Sequence, residues 1–211
     1  MTETTSARTT FRRHVREQAL AAAYELTVEL GWERVRLNQV ASRVGISRPT
    51  LYKEFGDKQG LGDALVLREA ERFLAGIEHL LDQSHGSPGE TIATAVAYTL
   101  EEAARSPLLM AVLVSPRLAA GGENLNSAAP GVSVPGVLPL VSTSATLLTV
   151  ASERLVGWFS ENFPGVDPAD VAAATDAVVR LTVSHLVVRD GNSRQTGLHV
   201  AEVATRYLAH R

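Results

Sequence analysis

The chain has 211 residues, 45% hydrophobic and 20% charged, with a net charge of −3 and no cysteine. Such a composition belongs to a globular chain of one or two domains and excludes a disulfide scaffold, a thiolate metal site and a cysteine nucleophile. The charge is uneven: residues 1–60 carry +3 and the remainder −6, so a basic head precedes an acidic body and is the part expected to meet a polyanion.

Residues 1–10 read as a polar, frayed arm. MTETTSARTTFRRH lacks the apolar core of a secretory signal, and the longer apolar stretches are all broken by Ser, Thr, Gly or Pro. No membrane partner and a cytoplasmic address are therefore expected. From Phe11 to Leu30, Val15, Ala19, Ala22, Ala23, Leu26 and Leu30 recur at spacings of three and four, the buried face of a helix. Gly31 stands where a left-handed residue ends such a helix, and Trp32 is placed to pack back on it.

Between Leu37 and Phe55 the sequence is LNQVASRVGISRPTLYKEF. Leu37, Val40, Ala41 and Val44 make a short amphipathic helix, Gly45 allows a tight turn, and Ile46 fills the space between two crossing helices. Ser47 is an N-cap for a second helix, with Pro49 tolerated in its first turn. Leu51 and Phe55 bury one face of that helix. Two short helices joined by a glycine turn are a helix-turn-helix, whose second helix enters the major groove through its N-terminal residues.

The side chains suit that task. Arg48 and Thr50 stand where base edges are read, since Arg pairs with guanine and Thr hydrogen-bonds or meets a thymine methyl. Tyr52 and Lys53 face phosphates, and Asn38 and Gln39 start the first helix with amide donors. Asp57 caps the next helix, and Lys58 in its first turn reaches toward the same backbone.

The segment GWERVRLNQVASRVGISRPTLYKEFGDKQGL resembles the N-terminal part of the tetracycline-repressor (TetR) family of bacterial regulators. Gly31, Val40, Ala41, Gly45, Ser47, Thr50, Leu51, Tyr52, Phe55, Lys58 and Leu61 carry the likeness, which covers about residues 12–65. One departure is Arg36, where the family has a Ser or Thr capping the second helix, so the cap must be lost or supplied by another group. The resemblance implies an all-α chain: a three-helix DNA-binding domain over 1–57, then a helical ligand-binding and dimerisation domain over 58–211.

The body fits this plan. Ser87-Pro88-Gly89-Glu90 is a capping box and Asp167-Pro168-Ala169-Asp170 a second strong helix start, with Ser106-Pro107 a weaker third. Residues 115–137, rich in Pro and Gly, read as a long loop. Leu138 to Phe163, Pro168 to Arg189 and Thr196 to Ala209 read as the remaining helices. The resemblance makes the last two a dimer interface, for which Ala172, Ala173, Ala177, Leu181 and Ser184 offer a surface of small residues.

Phe73, Ile77, Leu109, Leu113, Leu148, Trp158 and Phe159 are candidate walls of an effector pocket. Tyr98, Glu102 and His185 are its candidate polar contacts. The few acids among them favour a neutral or anionic apolar molecule. There is no P-loop, H-E-x-x-H or G-x-S-x-G; Gly131-Val132-Ser133-Val134-Pro135 fails the last at its final position, and His79 and His85 lack metal spacing. No catalytic residue, metal or cofactor is expected. The expected function is a homodimeric repressor bound to a palindromic, double-stranded DNA operator and released by a small apolar effector. A helical lipid carrier is the rival, and it would leave the helix-turn-helix unexplained.

Overall fold

The structure, a computed structural model, describes residues 3–83, 86–120, 140–188 and 192–209, and within these ranges the side chains of 10–83, 86–114, 147–188 and 192–208. Among the described residues the regular structure is helical throughout, with no strand. It divides into two compact units, one built on Met1–Arg68 and one on Glu69–Glu123 with Val141–Arg211. The division falls inside a helix, between Arg68 and Glu69, rather than ahead of that helix at residue 58.

In the first unit α1 spans Glu3–Leu30, so the expected polar arm is helical from its third residue. Nothing between Glu3 and Phe11 is Pro or Gly, and the amphipathic helix beyond nucleates the turns ahead of it. Val15, Ala19, Ala22, Ala23 and Leu26 are buried as the spacing requires, whereas Leu30 is exposed at the end of the stripe. Gly31 has the expected positive φ of 80°, but with ψ of 143° it lies outside the left-handed helical basin. It turns the chain into a 3-10 turn at Trp32–Arg34, which buries Trp32. Then come α2 (Leu37–Val44) and α3 (Arg48–Phe55).

Helix α4 runs from Lys58 to Asp82. The second unit adds α5 (Pro88–Arg105), α6 (Pro107–Ala120), α7 (Leu140–Asn162), α8 (Pro168–Val187) and α9 (Ser193–Ala209). The predicted caps form. Ser87 Oγ accepts from the Glu90 amide at 3.3 Å while Glu90 Oε2 accepts from the Ser87 amide at 2.9 Å, and Asp167 Oδ1 accepts from Ala169 N at 2.8 Å. Ser106 Oγ accepts from Leu109 N at 3.2 Å.

Helix α6 continues through residues 115–120, past Pro116, where a loop was expected. Proline forfeits one hydrogen bond there, but the Arg-Leu-Ala-Ala that follows propagates helix well. Residues 121–137 of that expected loop, including 131–135, lie outside the described residues, as do His85 and Arg189. Helix α9 starts at Ser193 rather than Thr196, with Asn192 Oδ1 accepting from Arg194 N at 2.9 Å.

The core of the second unit gathers Ile92, Ala93 and Val96 of α5, Phe159 of α7, Val171, Ala174 and Val178 of α8, and Val200, Ala201, Ala204 and Leu208 of α9. Gly197 brings α9 onto α5 so closely that a Cβ there would fall 2.3 Å from the Ala93 carbonyl oxygen.

Candidate nucleic-acid interface and effector cavity

Helices α2 and α3 are built by local chemistry. Leu37, Val40 and Ala41 bury one face of α2, and Leu51 and Phe55 one face of α3. Gly45 between them takes the left-handed conformation (φ 76°, ψ 27°), which costs a side-chain-bearing residue about 1 kcal/mol or more. Ile46 is half-buried, and its amide bonds the Ala41 carbonyl at 3.0 Å, closing the turn. Ser47 Oγ accepts from Thr50 N at 3.3 Å, so the predicted N-cap is in place.

Arg36 raised the question of how α2 is capped. The answer is Gln39, whose Oε1 accepts from the Arg36 amide at 2.8 Å. Gln39 is thereby half-buried and spends its carbonyl on the helix end, leaving its NH2 group as donor. Asn38, Ser47, Arg48, Pro49, Thr50, Tyr52 and Lys53 are all exposed. For Arg48 and Lys53 no carboxylate partner is found among the described residues. Arg43, by contrast, is tied to Glu29 of α1 by two hydrogen bonds of 3.0 and 3.1 Å, and these hold the Glu29 carboxyl below its ordinary range.

Two expected readers have neighbours that refine their roles. Thr50 Oγ1 lies 2.7 Å from Ser47 Oγ, so its hydroxyl is shared with the cap while its methyl makes no such bond. Lys58 is half-buried, donates from Nζ to the Glu33 carbonyl at 3.0 Å, and sits 5.2 Å from the Trp32 ring centroid. An ammonium has three donors, so this anchor leaves others for a phosphate. Asp57 Oδ1 accepts from Gly60 N at 2.8 Å, making the predicted cap of α4.

The second unit holds an apolar cavity of about 70 Å³. Phe73, Ile77, Leu113 and Leu148, all candidate walls, line it. Ala95, Val96, Thr99, Ala151, Leu155, Val178, Val179, Thr182, Val183 and Leu186 complete it. Among the described lining residues the hydroxyls belong to Thr99 and Thr182, which donate back to their own helices at Ala95 O (2.8 Å) and Val178 O (2.7 Å). None of the described residues that line it is charged.

The other candidates lie elsewhere. Trp158 and Phe159 stand further along α7 than the cavity's Leu148, Ala151 and Leu155. Phe159 is fully buried in the core, with Trp158 edge-on to it at 5.6 Å. Leu109 is buried on α6 off the cavity wall, and His185 is half-buried on α8, also off it. Tyr98 stacks on Phe73 at 6.1 Å in the seam between α4 and α5. Gly76 makes room there, since a Cβ on it would fall 2.0 Å from Tyr98 Oη. Burial, then the nearby Glu102 carboxylate, pushes the Tyr98 hydroxyl above its ordinary pKa. Glu102 is clamped between Arg72 (3.3 Å) and Arg105 (2.7 Å), which leaves it bound to side chains of its own unit.

Half of the missed walls belong to α8. Val178, Thr182 and Leu186 recur every four residues, a legible signal, whereas the sequence reading gives the pocket only His185 of that helix and the small-residue stripe to the dimer interface. Ala172 is exposed, Ala173, Ala177 and Ser184 are half-buried, and Leu181, also half-buried, packs against the core of the second unit.

The comparisons agree with this architecture. Residues 19–65 match the family model described as bacterial regulatory proteins, tetR family, and residues 88–206 that of the bacterial tetracyclin repressor C-terminal domain. The chain belongs to the TetR family. It is a transcriptional regulator with a DNA-binding helix-turn-helix, which leaves the lipid-carrier reading without support. The HTH-type transcriptional regulator AlkX of Mycobacterium tuberculosis is 28% identical over 197 residues, spanning 93% of this chain and 86% of that protein. Among solved structures, the TetR family repressor AlkX from Dietzia sp., implicated in biodegradation of n-alkanes, shares the fold at TM-score 0.59 and 23% identity, over 90% of this chain and 96% of that one. FadR from Bacillus subtilis, solved with stearoyl-CoA, shares it at TM-score 0.58 and 16% identity, covering 89% and 96%. No described helix is long and apolar enough to cross a membrane.

Proposed function

We propose that this regulator is a cytoplasmic repressor that binds a palindromic operator as a homodimer and is released when a hydrocarbon-bearing small molecule enters the cavity of its second unit. The observation that carries the effector half is the chemistry of the cavity wall. Among the described wall residues both hydroxyls donate within their own helices and none carries a charge. A buried carboxylate or ammonium would find no charged partner among the described wall residues and would lose several kcal/mol of hydration, on the order of what excludes unpaired charges from interiors. The wall accepts an alkyl chain or a neutral ring, and any ionised head must stay outside. The alkane and acyl-thioester contexts named for the two structural neighbours share that long-chain chemistry.

The cavity of about 70 Å³ is far below the roughly 300–1,000 Å³ of small-molecule sites. The effector must therefore part the helices around it, and α4, which bears Phe73 and Ile77 and begins at Lys58, is the element that would carry the change. Arg48 and Thr50 read bases, while Asn38, Gln39, Tyr52, Lys53 and Lys58 hold phosphates, with Ser47 and Pro49 fixing the start of the reading helix. One such helix reads a short half-site, so two copies related by a two-fold axis are required for useful specificity.

Selection of duplexes from a random pool by the full chain tests this reading. Enrichment of an inverted repeat, bound by two chains as weighed by light scattering, is the expected result. Recovery of no preferred sequence would overturn it.

A further inference from the structure

The far end of the recognition helix is ion-paired in a way that the base-reading role does not require. Glu54 stands on α3 one turn beyond Thr50, with its side chain only 10% exposed. Arg12 Nε donates to Glu54 Oε2 at 2.6 Å, and Arg16 Nη1 donates to Oε1 at 3.1 Å. Two cations on one carboxylate leave a net positive charge at this point. The two arginines are not equivalent. Arg16 lies over the Phe55 ring, 5.0 Å from its centroid, and is 40% exposed, whereas the Arg12 side chain is 69% exposed. Arg12 uses Nε for this carboxylate, and its two terminal NH2 groups are the donors suited to a second anion.

We propose that Arg12 contacts a backbone phosphate of bound DNA, and that Glu54 is the residue that positions it. The inference rests on the reading that the first unit binds duplex DNA. Arg12 is tethered to the recognition helix itself, so its guanidinium is carried to the duplex with Thr50 and Arg48. The occupant is fixed by charge complementarity and by continuity with the exposed face of α3. A long arginine side chain loses rotamer freedom when it is fixed, and the tie to Glu54 takes that loss before DNA arrives. Arg16, held between Glu54 and Phe55, is the structural member of the pair.

The test is the salt dependence of binding by the full chain to a mixed-sequence duplex of about three helical turns, followed by fluorescence anisotropy between about 50 and 200 mM salt. Arg12→Gln is expected to lower the slope of log K against log salt by about 0.9 per bound chain, the value of one phosphate contact. Arg16→Gln breaks the other half of the same ion pair and is expected to lower the melting temperature while leaving the slope unchanged. Far-UV circular dichroism establishes that both variants are folded. In a Glu54→Gln background the slope change caused by Arg12→Gln should shrink, because the arginine is no longer held in place; an undiminished change would remove the positioning role. Equal slopes for Arg12→Gln and the unsubstituted chain would make Arg12 a helix–helix tie only and overturn the proposal. No binding of duplex by the unsubstituted chain would instead overturn the DNA-binding reading, and this inference with it.

Discussion

The two units of this regulator are stabilised and specified in opposite ways. In the first, short helices are set by local signals: a glycine at φ 76°, a serine cap and a glutamine that replaces a missing cap within three residues of it. Its exposed face is polar and cationic. In the second, α5 and α9 meet through residues more than a hundred positions apart, with α7 and α8 packed against both in one core, and the described cavity lining draws on α4 to α8. The lesson is that a recognition surface can be written into a few consecutive residues, whereas a cavity is a property of how distant faces fail to fill the space between them.

The comparison can be broken first in the body. Phe159 is fully buried, so Phe159→Ala should destabilise the second unit by about 3–5 kcal/mol through lost burial and the void left behind. A thermal melt measures this, and the α2–α3 turn, which holds itself by local bonds, should keep its amide protection in hydrogen exchange. A smaller effect of about 1–3 kcal/mol is expected for Gly197→Ala, where the added Cβ would meet the Ala93 carbonyl and force α9 off α5. A melting temperature equal to that of the unsubstituted chain would mean that α9 can shift without cost.

In the head the effects fall on recognition rather than on stability. Thr50→Ala should cost about 1–3 kcal/mol at one base position of the selected operator and little elsewhere. Thr50→Val should retain much of the preference, because the threonine hydroxyl is already engaged by Ser47 and the methyl is kept. Binding to an operator series substituted at each position checks both.

The smallest effect concerns Glu54. Burial alone would raise its pKa, but hydrogen bonds from Arg12 and Arg16 outweigh it and hold the carboxyl below its ordinary value. A carboxylate with a depressed folded-state pKa stabilises the fold above the unfolded value, near 4.3, and that contribution is lost as pH falls through the lower folded value. Glu54→Gln should therefore cost about 1 kcal/mol near neutral pH and nothing once the native carboxyl is protonated. Urea melts across that acid range measure the convergence.

Legibility in the sequence followed the same divide. The glycine turn, the Ser47 cap, the Ser87 and Asp167 starts and the buried stripe of α1 are all local, and each formed where the residues placed it. Arg36 marked a real departure, and the group that answered it, Gln39, stood within the same turn. The cavity was read in part: Phe73, Ile77, Leu113 and Leu148 line it, while Tyr98, Glu102, Leu109, Trp158, Phe159 and His185 do not. An apolar residue on a helix announces burial but not whether the opposite wall touches it. Trp158 and Phe159 continue the cavity stripe of α7 and differ from Leu155 only in what α5, α8 and α9 bring against them. Tyr98 and Glu102 looked like ligand contacts because they are polar on an apolar helix. Phe73 and Gly76 account for the first, Arg72 and Arg105 for the second.

The central claim is that the apolar cavity and the DNA-reading head are coupled, so that a hydrocarbon occupant changes operator affinity. A ligand can do this only through different affinities for two conformations, and operator DNA must then weaken ligand binding by the same factor. The direct measurement is the anisotropy of a labelled, selected operator titrated with the full chain, with and without a saturating long-chain hydrocarbon probe. It is paired with Ile77→Trp, which fills the cavity. The account predicts weaker operator binding with the probe present, and no response to it in the folded Ile77→Trp variant. A probe that binds the second unit while operator affinity stays unchanged would contradict it.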